Sequence, residues 1–390
     1  MKTICVVTAT RAEYGLLCPV IRKLRAYESA QLKVDLIVTG THLSSAYGHT
    51  IDEIKNDNLR IDETVEIPVN SDSPLDIVRN QAAALQGMGE CFERLRPAAV
   101  VLLGDRYETL MFALAAVDLN IPVIHLCGGD TTEGAQDEAF RHAITKMSYL
   151  HFPTNEQSRQ RIIQLGEDPA RVFNYGSPGI DNALHTDFMD RDELCAELKL
   201  PFAPLGLCTY HPVTLENSSP ERDIKAFIKA LNHFPDLHFV ITRSNADRGG
   251  ALINRLLDEE VKGHDHLHLF SSLGVRRYLS LMRLAEVVVG NSSSGIAETP
   301  AFQVPTVNIG DRQRGRLQAG NIINCSPDTA SITAALRKAL SREFLQVCLK
   351  VKNPYGDGHA AERIAAKIVE TVNGRISLKK KFYNVAGSFA

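Results

Sequence analysis

Short β-branched runs alternate with amphipathic helical stretches along almost the whole chain. That alternation limits the possible folds more than any single motif does. Residues 4–8, 34–38, 65–67, 99–103, 123–126, 151–153 and 172–175 read as strands, with helical patterns at 16–27, 75–95, 108–119 and 156–165. Strands joined through helices need crossover connections, so they lie parallel, with helices on both faces of the sheet. The pattern breaks at Gly176-Ser177-Pro178-Gly179, and Pro201 and Pro204 precede a fresh strand at 206–210. Strands then recur at 237–242, 267–270, 287–290 and 306–309, separated by helices at 224–232, 251–261 and 275–285. The expected fold is α/β: two doubly wound Rossmann-like domains facing across a cleft. The expected boundaries are 1–178 and 179–360, followed by 361–390. In that last segment a helix near 360–372 crosses back to the first domain, and the tail from Ile376, with Lys379-Lys380-Lys381, is solvated.

With 44% hydrophobic residues, the chain can fill two cores. A net charge of −3 excludes global attraction to nucleic acid or an anionic membrane, so a bound anion must be held by local groups. The eight cysteines include no CxxC pair, and several lie inside apolar strands. That favours reduced thiols and a cytoplasmic protein. The first apolar run is too short for a secretory signal, and no run approaches a membrane span.

In open α/β sheets, ligands bind at the carboxyl ends of the strands. The strand at 100–103 ends in Gly104-Asp105-Arg106, and that at 122–126 runs into Cys127-Gly128-Gly129-Asp130. The next loop delivers Asp137-Glu138 and Arg141-His142 at the start of a helix. Carboxylates whose pKa values are split by environment can supply both an acid and a base. Arg11, at a helix start, is either an anion seat or a surface arginine. His42, in Thr39-Gly40-Thr41-His42, is either a ligand contact or a structural histidine.

In the second half, strands end in His211-Pro212-Val213-Thr214, in Arg243-Ser244-Asn245, and in Gly290-Asn291-Ser292-Ser293-Ser294 before a helix carrying Glu298. Backbone N–H groups and hydroxyls at that helix start suit a diphosphate, and Glu298 could accept from ribose hydroxyls. The competing reading is a serine cap with a carboxylate complementing the helix dipole. Nothing matches GxGxxG or a Walker loop, so dinucleotide or ATP binding by those motifs is not expected. His264, His266 and His268 share a strand face but precede their strand. The acids of 105–138 lack zinc-site spacing, and no metal or cofactor is expected.

The pieces TRAEYG (10–15), TGTHLSSAYG (39–48), GDRYE (104–108), HLCGGD (125–130), DEAFRHAITKMS (137–148), HPVT (211–214), SNADRG (244–249), GNSSSGIAE (290–298) and GDRQRGR (310–316) span most of the chain. In this order they resemble the hydrolysing UDP-N-acetylglucosamine 2-epimerases of sialic acid biosynthesis. The resemblance implies a two-domain GT-B-like fold, no NAD, no essential metal and a homodimer or homotetramer. It also implies elimination of UDP to 2-acetamidoglucal and then hydration to N-acetylmannosamine. By motif matching, Asp105 and Asp137 are the acid/base candidates, with Glu138 and Asp130 as alternatives. Arg11, Arg106, His211, Asn245, Ser292, Ser293, Glu298 and Arg312 match positions that hold UDP. His211 and Arg11 would stabilise the leaving diphosphate, and His42, Arg141 and His142 complete the substrate-contact candidates. One departure stands out: Cys127 and Asp130 occupy the acid positions of the pattern HxEGGE, which points to altered chemistry or a different sugar. The alternatives are a nucleotide-linked 2,4-diacetamido-trideoxyhexose on the route to legionaminic acid, a non-hydrolysing epimerase, a GT-B glycosyltransferase, or UDP binding without turnover.

Overall fold

A computed structural model describes residues 1–45, 49–68, 74–132, 136–212, 219–244 and 250–385. Six strands form the first sheet: β1 Lys2–Thr8, β2 Leu32–Thr39, β3 Glu63–Val65, β4 Ala99–Leu103, β5 Val123–Leu126 and β6 Leu150–Phe152, in the order β3-β2-β1-β4-β5-β6. The second sheet repeats the plan with β7 Leu205–Thr209, β8 His238–Thr242, β9 Leu267–Phe270, β10 Val287–Gly290, β11 Thr306–Ile309 and β12 Ile322–Cys325, in the order β12-β11-β10-β7-β8-β9. Every described strand pair is parallel. This is the doubly wound α/β plan expected of each half.

Strand pleating explains why the central strands are apolar without interruption. In the first sheet Ile4, Val6, Val101 and Leu103 point to one core, while Cys5, Val7, Val100 and Leu102 point to the other. The second sheet sorts the same way, with Val287 and Val289 on one side and Leu205, Leu207 and Val288 on the other. Strand order reverses at β1/β4 and at β7/β10. Those switch points open the crevices where ligands of such sheets bind.

Two strand assignments differ from expectation. Residues 172–175 form no strand; only Val172 bridges to His151. Phe173 and Tyr175 are apolar there because they pack on Phe152, with ring centroids 5.8–6.2 Å apart, and not because they join the ladder. The strand β12, which alternation did not announce, pairs along its whole length with β11. Its Ile-Ile-Asn-Cys sequence lies half-exposed at a sheet edge and carries little pattern.

The chain divides into one unit of Met1–Asn182 with Tyr355–Ala390 and another of Ala183–Pro354. The helix Pro178–His185 therefore spans the first boundary. In the first unit, helix Ala360–Asn373 shares the core of helix Arg11–Arg25, with Ile364 and Ile368 among the residues joining Leu17, Ile21 and Leu24. Asp181 caps its start, accepting from Ala360 N at 3.0 Å and Ala361 N at 2.6 Å.

The tail is largely exposed, as expected, but it is pinned at two residues. Lys380 Nζ donates to Lys146 O (2.9 Å), Ser148 O (2.7 Å) and Glu167 Oε2 (2.6 Å), and Tyr383 N donates to Gly166 O (2.9 Å). Glu167 is buried and also takes Lys146 at 2.6 Å and His151 at 3.2 Å. Burial alone would raise its pKa, but the hydrogen bonds from His151, Lys146 and Lys380 outweigh that and hold it down to about 2. A carboxylate depressed in this way contributes stability that is complete above its unfolded pKa, near 4.5. That stability is lost as pH falls through about 2. Lys380→Met is expected to cost about 1–3 kcal/mol, because Lys146 still partly compensates the buried charge. Thermal unfolding near pH 7 measures this, and an unchanged melting temperature would count against the anchoring role.

Candidate functional site

In the first unit, β1 ends in a turn that Thr10 and Glu13 fix as a capping box. Glu13 Oε2 accepts from Ala9 N at 2.9 Å and Thr10 N at 3.2 Å, while Thr10 Oγ1 takes the Glu13 N–H. Burial pushes Glu13 up to about 7, against the pull of Arg106 and those backbone donors. Arg11 is the first helical residue, exposed and 3.1 Å from Glu53. His42 departs from its expected role as a ligand contact. Its ring has no accessible surface, Nε2 lies 3.1 Å from Thr8 Oγ1, and Nδ1 lies 2.8 Å from Thr50 Oγ1. Burial draws it down to about 4, so it is a neutral brace beneath the loop.

The centre of the acidic cluster is Arg141, 2% exposed, on helix Gln136–Met147. Its Nε donates to Asp105 Oδ2 at 2.8 Å and its Nη2 bonds the same oxygen. Its Nη1 donates to Glu138 Oε2 and to the Asp130 carbonyl, both at 2.9 Å, and Nη2 reaches Thr132 Oγ1 at 3.0 Å. One planar guanidinium thus ties the end of β4, the loop after β5 and the first turn of its own helix, a geometry that Arg alone provides. Burial would raise Glu138, but the Thr132 N–H, at 2.5 Å, together with His142 and Arg141, holds it below the usual range. Arg106 caps the next helix, Tyr107–Asp118, and pairs at 3.2 Å with fully buried Glu108.

Two acids sit differently from the rest. The Asp130 carboxylate turns to Ser158 Oγ and Asn155 Nδ2, so only its backbone carbonyl meets Arg141. Asp137 is exposed in the first turn of its helix. Cys127 has φ +61°, a left-handed backbone unusual outside glycine. Burial first, then Asp130 and Asp105, push its thiol far above the ordinary range and favour the neutral form.

In the second unit the site turns on Gly290 and Asn291. Gly290 has φ +141°, and an added Cβ would collide with Thr209 O, so only glycine lets β10 end here. Buried Asn291 then grips the backbone after β7. Its Nδ2 donates to His211 O at 2.8 Å, and its Oδ1 accepts from His211 N at 2.7 Å. Its own carbonyl accepts from Arg312 at 3.1 Å and Gln313 at 2.9 Å. His211 Nδ1 lies 3.1 Å from Ser244 Oγ. His211, Arg312 and the serine run are therefore gathered around one asparagine. No role had been assigned to Asn291, although it lies inside a quoted motif.

The helix expected to carry Glu298 is instead two single turns, Ser294–Ala297 and Thr299–Phe302, meeting at Glu298 with Pro300 just beyond. Ser292 is half-buried and Ser293 exposed. Glu298 accepts from Ser294 Oγ, and burial pushes it up to about 6. Tyr278, its phenol pushed up to about 12 by burial and by Glu298, lines a small cavity with Thr209, Gly290, Ser292 and Asn308. Asn245 lies outside the described residues. The ends of β11 and β12 line a larger cavity of about 610 Å³ with Arg314 and Arg316 at its rim.

At β8 and β9, His238 Nδ1 lies 2.9 Å from His268 Nε2. Among the described residues, no group of three or more His, Cys, Asp or Glu side chains is arranged to hold a metal ion.

Residues 24–369 match the family described as UDP-N-acetylglucosamine 2-epimerase. A Campylobacter jejuni protein, GDP/UDP-N,N'-diacetylbacillosamine 2-epimerase (hydrolyzing), is 38% identical over 98% of this chain and 99% of its own. Polysialic acid biosynthesis protein P7 of Escherichia coli is 36% identical over 99% of this chain and 98% of its own. The crystal structure of UDP-GlcNAc 2-epimerase from Neisseria meningitidis bound to UDP-GlcNAc superposes with a TM-score of 0.78 at 18% identity. That match covers 95% of this chain and all of the other, and it establishes a common fold.

Proposed function

The chain belongs to the UDP-N-acetylglucosamine 2-epimerase family, and from that premise we propose that it is a hydrolysing 2-epimerase of a UDP-linked 2-acetamido sugar. The observation that carries this reading is the pairing of Asp105 and Glu138 on one buried guanidinium, Arg141, at the carboxyl edge of the first sheet. Carboxylates held in place beside a cation suit proton transfer at carbon 2 and stabilisation of a cationic ring carbon. A base, Asp105 or Asp137, removes the carbon 2 proton, the bond from carbon 1 to UDP breaks, and a glycal forms. Water adds at carbon 1, and carbon 2 takes a proton from the other face. By motif matching, Arg11 and Arg106 of the first unit and His211, Ser292, Ser293 and Arg312 of the second are candidates for holding UDP, with Glu298 the candidate for its ribose.

The preferred sugar is a 2,4-diacetamido-2,4,6-trideoxyhexose. Both the name of the Campylobacter relative and the uncharged Cys127 beside the acidic cluster support it. UDP-N-acetylglucosamine is the second reading, supported by the Neisseria protein bound to that compound. Either product would feed nonulosonic acid synthesis. No helix among the described residues is long and apolar enough to cross a membrane, and we place the enzyme in the cytoplasm as a homodimer or homotetramer.

The test is an NMR time course in deuterated water with each nucleotide sugar in turn. UDP release with deuterium at carbon 2 of a free 2-epimeric sugar is the expected result, and the faster substrate names the sugar. UDP binding without turnover of either would overturn the assignment, and transfer to an added acceptor would favour a glycosyltransferase.

A further inference from the structure

Hydration of a glycal needs a group to take the proton of the attacking water, and most candidates near Arg141 are already committed. Asp105 and Glu138 accept from the guanidinium. The Asp130 carboxylate is turned to Ser158 and Asn155. The Cys127 thiol is held protonated. His125 is fully buried, with Nε2 2.8 Å from Gly104 O and Nδ1 3.3 Å from Thr145 Oγ1, and burial draws it down to about 3. His151 has no accessible surface and is held by Glu167.

His142 shares with His151 a carboxylate at Nε2 and an unpaired Nδ1, but its ring is partly exposed and stands beside the Arg141 cluster. Its Nε2 lies 3.0 Å from Glu138 Oε1. Glu138 is a carboxylate kept ionised by its donors, so it can only accept, and the ring proton must sit on Nε2. The other nitrogen, Nδ1, is then a bare lone pair. It is buried and meets no hydrogen-bond donor among the described residues. A buried acceptor left unpaired is unfavourable, and a donor bound in the site would relieve that cost. A carboxylate that fixes the tautomer of an imidazole and leaves its far nitrogen a bare acceptor is the logic of a charge-stabilised general base.

We propose that His142 is the general base of the hydration half-reaction, oriented by Glu138. This rests on the hydrolysing reading above. The water O–H bond breaks, with its proton passing to Nδ1, and the oxygen bonds to carbon 1. The electron pair of the carbon 1–carbon 2 double bond takes a proton at carbon 2 from a protonated carboxyl group of the same cluster. The imidazolium then returns its proton to solvent. The titratable groups that interact with the ring are Glu138 on its own helix and His125 from β5, with Arg141 and, through it, Asp105 on the far side of Glu138.

His142→Gln keeps an N–H able to reach Glu138 and deletes the lone pair. The expected result is release of UDP with accumulation of the 2-acetamidoglycal, seen by its vinyl proton, and sugar formation slowed about 10²–10⁴-fold. Sugar formed at the wild-type rate, or elimination lost equally with hydration, would overturn the proposal. Should this variant not fold, the wild type decides. Its hydration of added glycal should slow as acid protonates the base, and a profile flat toward acid overturns the assignment. Absence of UDP release by the wild type from either nucleotide sugar is a separate outcome that sinks the functional reading itself.

Discussion

Arg141→Met is expected to lower UDP release about 10³-fold and to destabilise the first unit by about 3–5 kcal/mol. The side chain donates to Asp105, Glu138, Thr132 and the Asp130 carbonyl, so its removal leaves two carboxylates facing each other in a largely buried setting. Their mutual repulsion would raise at least one pKa and misplace the base. Arg141→Lys separates charge from shape. It restores a cation but not the fork that reaches β4 and the helix together, and it should recover stability better than turnover. Steady-state UDP release alongside thermal unfolding of both variants reads the difference. Methionine activity within tenfold of wild type would remove Arg141 from the centre of the site.

The second large effect is expected in the other unit. Asn291→Ala removes both hydrogen bonds that pin the part-buried His211 backbone, at about 0.5–1.5 kcal/mol each. His211 and the turn before Ser292 would lose their common support, and UDP affinity should fall about 10²-fold, equivalent to about 2.7 kcal/mol. Calorimetric titration with UDP measures it directly. Asn291→Asp keeps the acceptor but loses the donor to the His211 carbonyl, and should fall between wild type and alanine. Equal UDP affinity in all three would show that the asparagine supports the fold and not the ligand.

The sheets were legible in the sequence because central strands buried on both faces must be apolar throughout, and because helical periodicity separates them. Failures came where burial and pairing part company. Phe173 and Tyr175 are partly buried by ring packing and imitate a strand, whereas Ile322–Cys325 pairs fully while half-exposed and imitates a loop. Lys380 looked like solvent because lysine usually is. Nothing local announces that Glu167, far back in the chain, waits for it. Within the candidate site, the motifs fall on loops at the carboxyl ends of the strands but carry no sign of the direction of each side chain. Asp130 and His42 face inward to protein partners, and the organising roles of Arg141 and Asn291 arise from contacts with segments distant in sequence. Spacing along a chain carries no information about which of several adjacent polar groups will meet.

Because helix Ala360–Asn373 belongs with helix Arg11–Arg25, the two units mature in the reverse of their written order. During synthesis, residues 183–354 have all their partners as soon as they are made. The amino-terminal unit, although translated first, cannot complete the core that holds Leu17, Ile21 and Leu24 until the final helix emerges. A premature stop near the end of the message would therefore be felt at the beginning of the protein. It would leave the later unit intact and strand the earlier one, open and prone to aggregate.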